Sequence, residues 1–92
     1  MKNLEIGSFV YSKAGHDADS IYIVIEITEK KLTLVDGRIK TLEKPKFKNE
    51  KHVNVLTYYD KALKEKLNAE EKLTNEEIKY AIKNYRKQKD MK

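Results

Sequence analysis

Apolar and polar residues change their period once along this chain, near Thr57. Before that point the spacing is that of strands. Ile21, Ile23, Ile25 and Ile27 alternate with Tyr22, Val24 and Glu26, and β-branched residues at period two place one face of a strand in a core. Phe9, Tyr11 and Lys13 alternate with Ser8, Val10 and Ser12, which predicts an earlier strand. Leu32 to Val35 predicts a third, entered through the polar turn Thr28-Glu29-Lys30-Lys31. Asp36-Gly37 is a hairpin signal, because glycine supplies the positive φ of a type I′ turn. Arg38 to Leu42 then reads as the return strand. Pro45 has no N–H to donate and breaks the ladder. Val53 and Val55 offer a short closing strand. Four or five short strands joined by tight turns predict a small barrel.

From Tyr58 onwards the alternation stops. Tyr59, Ala62, Leu63 and Leu67 fall at helical spacing, as do Ile78, Ala81, Ile82 and Tyr85. Thr74-Asn75-Glu76-Glu77 is a capping box, in which the Thr74 hydroxyl accepts from the N–H of Glu77 and Glu77 reaches back. Two helices are predicted, joined around Asn68 to Thr74. The fold class is mainly β: a barrel over residues 1–57, then a helical extension over residues 58–92 with a basic C-terminus. Because the strand and turn signals end at Thr57, the barrel is expected to fold without the extension.

Charge sharpens this picture. The chain of 92 residues has a formal net charge of +5, which favours polyanionic partners. Residues 38–52 hold Arg38, Lys40, Lys44, Lys46, Lys48 and Lys51 against Glu43 and Glu50, and residues 79–92 hold Lys79, Lys83, Arg86, Lys87, Lys89 and Lys92 against Asp90. Acidic or neutral stretches separate the two blocks. There is no cysteine, hence no disulfide framework and no thiolate metal site. No apolar run approaches the ~20 residues of a membrane span, and Met1-Lys2-Asn3-Leu4-Glu5 lacks the apolar stretch of a signal peptide. A cytoplasmic protein that does not engage a membrane is expected.

Catalytic chemistry finds little foothold. His16 and His52 are the only histidines, and no Ser-His-Asp order, HExxH or Gly-rich phosphate loop occurs. His16, Asp17 and Asp19 sketch a metal site, but the run lacks the central glycine and distant bidentate Glu of a calcium loop. It reads as a polar turn. No enzyme activity, metal, cofactor or small-molecule substrate is expected.

The segment from Arg38 to His52 carries the candidate chemistry. In an extended chain Lys44, Lys46 and Lys48 project to one side, roughly 7 Å apart, which suits successive phosphates. Lysine grips phosphate as a point charge without reading bases. Phe47 can stack on an unpaired base or anchor the segment in the core. Asn49 and His52 can donate to a sugar or base edge, or serve turn chemistry. Charge reversal at Lys46 and Lys48 is expected to spare the fold, both being read as exposed. On the second helix Lys79, Lys83, Arg86 and Lys87 form a stripe beside the apolar Ile78, Ile82 and Tyr85. That helix can fold back on the barrel, add RNA contact, or meet a protein partner.

Ile6-Gly7-Ser8-Phe9-Val10-Tyr11-Ser12-Lys13-Ala14-Gly15-His16-Asp17, followed by Tyr22-Ile23-Val24-Ile25, resembles the KOW motif: strand, loop with a glycine, strand. The continuation Leu34-Val35-Asp36-Gly37-Arg38, then Leu42 to Asn49 and His52, is similar to short bacterial KOW-domain RNA-binding proteins. These are similar in turn to KOW-containing large-subunit ribosomal proteins. The resemblance covers roughly residues 4–56. It implies an SH3-like barrel whose loops and basic strand edges bind RNA, typically ribosomal RNA. The expected RNA-binding set is Lys13 and His16 of the first loop beside one continuous edge of Arg38, Lys40, Lys44, Lys46, Phe47, Lys48, Asn49, Lys51 and His52. One departure is Asp19, where the family usually has a second glycine. An alternative is a protein-interaction module of a ribosome- or transcription-associated complex, with a ribosomal or other protein partner on the C-terminal helices.

Overall fold

A computed structural model describes residues 4–12 and 20–90. Five strands form, β1 (Phe9–Ser12), β2 (Ile21–Thr28), β3 (Lys31–Val35), β4 (Lys46–Asn49) and β5 (Val53–Val55), followed by α1 (Lys61–Asn68) and α2 (Asn75–Asp90). They make one sheet in the order β4-β3-β2-β1-β5, every neighbouring pair antiparallel. A mainly β fold with two C-terminal helices is therefore present. Among the described residues no ladder joins β4 to β5, so the sheet is not closed.

The connection between its two edges forces the sheet to coil. Only the 3₁₀ turn Glu50–His52 separates β4 from β5. A flat five-stranded sheet would hold its edges about 19 Å apart, and the steps from Asn49 to Val53 span at most about 14 Å. The edges must curl towards each other. Inside the curl lies a cluster of Val10, Tyr22, Val24, Leu32, Leu34 and Val53, all buried.

The convex side is buried too. Phe9, Ile23 and Val35 pack against Leu63 of α1 and Ile78, Ala81 and Ile82 of α2. This explains why Tyr22-Ile23-Val24-Ile25 is an unbroken apolar run: both faces of β2 are covered. A bulge completes the pattern. Val24 pairs with Leu34 and Glu26 with Thr33, leaving Ile25 as the extra residue. An inserted residue reverses the parity of the strand. Ile21 and Ile25 thus join the helix-side cluster, and Ile27 joins the inner one. The regular four-isoleucine alternation does not share one face.

Two sequence expectations are corrected by the loop after β3. Arg38 to Leu42 is not a strand; β3 pairs instead with Lys46–Asn49. Nor is Asp36-Gly37 a type I′ turn. Gly37 has φ +80°, but Asp36 is not among the positive-φ residues, and type I′ requires both. The Asp36 carboxylate organises the loop itself, accepting from the backbone N–H of Arg38 and of Lys40, each at 2.9 Å. The tight hairpin is the one between β2 and β3, where Thr28 pairs with Lys31.

The helices are capped as their sequences allow. Asp60 accepts from the N–H of Leu63 at the start of α1. At its end the N–H of Glu71 donates to the carbonyl of Lys66 and that of Glu70 to Leu67, a Schellman closure with Glu70 at φ 57°. The capping box of α2 forms: the N–H of Glu77 donates to Thr74 Oγ1 at 3.2 Å, and that of Thr74 to Glu77 Oε1 at 3.0 Å. Glu77 also pairs with Lys66 of α1. That hydrogen bond, with the Thr74 backbone bond, holds the Glu77 carboxyl below its usual range, and Lys66 is raised in turn. Phe9, Tyr58 and Tyr85 meet at centroid distances of 5.1 to 6.0 Å, tying β1, the linker and α2 together. Burial, aided by the charge of Asp60, pushes the Tyr58 phenol up.

Candidate nucleic-acid interface

The structure divides the predicted basic edge between two places. The first is the seam where the curled sheet fails to close. Lys46 lies opposite Leu34 and Lys48 opposite Leu32, so both point towards the inner cluster rather than away from it. The Lys48 ammonium donates across the gap to Oγ of Ser12, a buried residue, at 3.0 Å. Lys46 Nζ stands 5.5 Å from the centre of the Tyr22 ring, within cation–π range. Their stems roof the core and their charged heads sit at the rim. Both are half-buried, which corrects the expectation of full exposure.

Further basic side chains flank β4: Lys44 precedes it, Lys51 and His52 lie on the 3₁₀ turn after it, and all three are exposed. Phe47, between the two seam lysines, points the other way and is 60% exposed, so it does not anchor the core. Asn49 accepts from the N–H of Lys51 at 3.0 Å; its side chain caps the turn, as turn chemistry predicts. Lys13 and His16, and the His16-Asp17-Asp19 turn, lie outside the described residues.

Arg38 and Lys40 lie on the loop after β3, outside β4 and its flanking turn. Their loop is pinned to the first turn of α2, where the N–H of Leu42 donates to Asn75 Oδ1 at 2.8 Å and Asn75 Nδ2 to Glu43 Oε1 at 3.0 Å. The Asn75 amide holds the Glu43 carboxyl below its ordinary range. Arg38 thereby shares a groove with Lys79, Lys83, Arg86 and Lys87 of α2. The convergence of Arg38 with that stripe was not readable from spacing, because it depends on how α2 docks. The single continuous edge expected from the sequence is thus two separate clusters.

Among the described residues, no group of three or more His, Asp or Glu side chains is placed to hold a metal ion, and no helix is long and apolar enough to cross a membrane. The class defined by this geometry is a coiled five-stranded antiparallel sheet, helix-covered on its convex side and rimmed by cations at its seam. No family model matches the chain, and no curated protein matches it either.

Proposed function

We propose that the protein is a non-catalytic RNA-binding module with an SH3-like, KOW-type fold, holding structured or ribosomal RNA at the seam and its flanking turn. The strand order, the bulge in β2 and the 3₁₀ turn before β5 support the fold reading, alongside the sequence resemblance over residues 4–56. The observation that carries the function is the run of Lys44, Lys46, Lys48 and Lys51 along β4 and its two ends, with His52 on the flanking turn and the exposed ring of Phe47 on the other face of the strand. Cations that contact phosphates set affinity and make it salt-dependent, and a bare aromatic suits stacking on unpaired bases.

The test is RNA affinity across a salt series for Lys44→Glu/Lys51→Glu. These two lysines are exposed and have no part in roofing the core, so the fold should be unchanged by circular dichroism. Affinity should fall for all RNAs alike, with the log–log salt slope flattened by roughly 0.7 to 0.9 per lost contact. An unchanged affinity and slope would remove the seam from the interface. The protein-interaction reading has its own observation, a groove between the segment before β1 and the chain leaving β5, lined by Leu56, Tyr58 and the exposed Tyr59. Salt-insensitive binding that Tyr59→Ala weakens would favour it.

A further inference from the structure

The groove beside α2 is built differently from the seam, from a helix and the loop that follows β3 rather than from strand edges. Lys79, Lys83 and Lys87 follow one another at four-residue intervals along α2, steps of about 6 Å. Arg86 on the helix and Arg38 on the facing loop complete the walls. The carboxylate in the lining is that of Asp36, and its Oδ1 is engaged by two backbone N–H groups. Lys79 is paired with Glu76 at 2.9 Å; Lys83 and Lys87 are exposed. Ile39, 78% exposed, stands at the mouth.

Charge decides what this groove fits. Lysine is depleted at the centre of protein–protein interfaces, because desolvating an ammonium is costly. A row of phosphates leaves the ammonium groups hydrated at their outer side and releases counterions. Evenly stepped lysines flanked by two guanidiniums, which can fork onto phosphate oxygens, match a nucleic-acid backbone.

Position separates the groove from the seam. α2 covers the convex side of the sheet over β2, and β2 is the middle strand of five. The seam between β4 and β5 is therefore across the coiled sheet from it, in a molecule whose extents are 33 × 27 × 27 Å. The seam lysines Lys46 and Lys48 stand over the inner cluster, whereas the groove lysines belong to the helix that covers the outer face, so the two sets serve different faces of the sheet.

We propose that the α2 groove is a second RNA-backbone site and that one copy of the protein holds two RNA segments at once, a bridging activity that rests on the RNA reading of the seam. The experiment uses the full chain and two short RNA hairpins, one carrying a donor dye and one an acceptor. Energy transfer reads bridging, native mass spectrometry reads the number of hairpins per chain, and anisotropy reads affinity for one hairpin. The parent should give a complex of one chain with two hairpins, and energy transfer. Lys83→Glu/Lys87→Glu should keep the fold, still bind one hairpin, and lose the second with all energy transfer. The paired variant Lys44→Glu/Lys51→Glu should also lose bridging while retaining one hairpin.

Each other result overturns the proposal. A parent that binds one hairpin per chain, with the α2 variant indistinguishable from it, leaves the seam as sole site and the RNA reading intact. Loss of all binding in the α2 variant makes the groove the sole site. Energy transfer from complexes of two chains assigns bridging to self-association. A parent that binds no RNA removes the RNA reading itself, and sedimentation with vesicles containing anionic phospholipid would then assign the groove to a lipid surface.

Discussion

Gly37→Ala is the substitution with the sharpest structural consequence. Gly37 sits at φ +80° with its Cα pressed against the start of α2. A Cβ there would lie 2.5 Å from the carbonyl oxygen of Asn75 and 3.0 Å from the backbone nitrogen of Lys79, with Lys79 Cγ at 2.9 Å. The lysine stem can swing away, but the backbone of a helix cannot. An L-residue in the left-handed region costs about 1–2 kcal/mol, and overpacking against a fixed neighbour about 1–3 kcal/mol more. Displacing the first turn also endangers the Asn75 bonds to the N–H of Leu42 and to Glu43. The total, about 2–5 kcal/mol, is a large part of the ~5–15 kcal/mol that stabilises a domain. At ~4–8 °C per kcal/mol for a chain of this size, Tm should fall by roughly 8–40 °C in thermal melts followed by circular dichroism. Asparagine tolerates positive φ better than most residues but keeps the Cβ, so Gly37→Asn should recover only the backbone share of the loss. An alanine variant that melts with the parent would refute the close docking of this loop on α2.

Three further outcomes are expected. A fragment of residues 1–57 should be unfolded or aggregated in circular dichroism and light scattering, because it bares Phe9, Ile23 and Val35, each of whose burial is worth about 1.5–3 kcal/mol; a soluble fragment with a cooperative melt would restore the independent barrel. Glu77 has its folded pKa below its unfolded value, so its contribution is present above the unfolded pKa and is lost as pH falls through the folded one; Glu77→Gln should therefore narrow the stability difference between neutral and acid pH, and equal acid sensitivity in urea titrations would contradict the pairing with Lys66. Phe47→Ala should leave Tm nearly unchanged, since the ring is largely exposed, while lowering affinity for single-stranded RNA more than for duplex; equal loss on both would exclude stacking.

The elements were legible where local chemistry decides them. The strand around Ile23, the change of period at Thr57 and the capping box at Thr74 each depend on neighbours within one turn or one strand, and each is present in the fold. What was not legible depends on partners distant in sequence. Arg38 to Leu42 has strand-like composition, but its hydrogen bonds go to Asn75 and within its own loop, and β3 finds its partner in Lys46–Asn49 instead. The Ile25 bulge is equally silent in the sequence: an extra residue leaves no compositional trace when both faces of the strand are apolar. An unbroken apolar run such as Tyr22-Ile23-Val24-Ile25 marks a strand covered on both faces, and the C-terminal helices, which read as separable in the sequence, supply the second cover.

The candidate site shows how parity turns a charge run into two kinds of residue. Lys44, Lys46 and Lys48 are equivalent in sequence, being cations at period two. Pairing with β3 makes Lys46 and Lys48 lids on Leu34 and Leu32, with heads committed to Tyr22 and Ser12, while Lys44 precedes Pro45 outside the strand and stays clear of the core. Reversing charge at Lys48 would place a carboxylate against the hydroxyl of a buried serine and strip a stem from the inner cluster, so lost binding there would not separate recognition from folding. Lys44 and Lys51 carry the same charge at the same rim without that burden. A comparison of the two pairs is thus informative in itself: affinity should fall in both, but the melting temperature should fall only where Lys46 and Lys48 are changed.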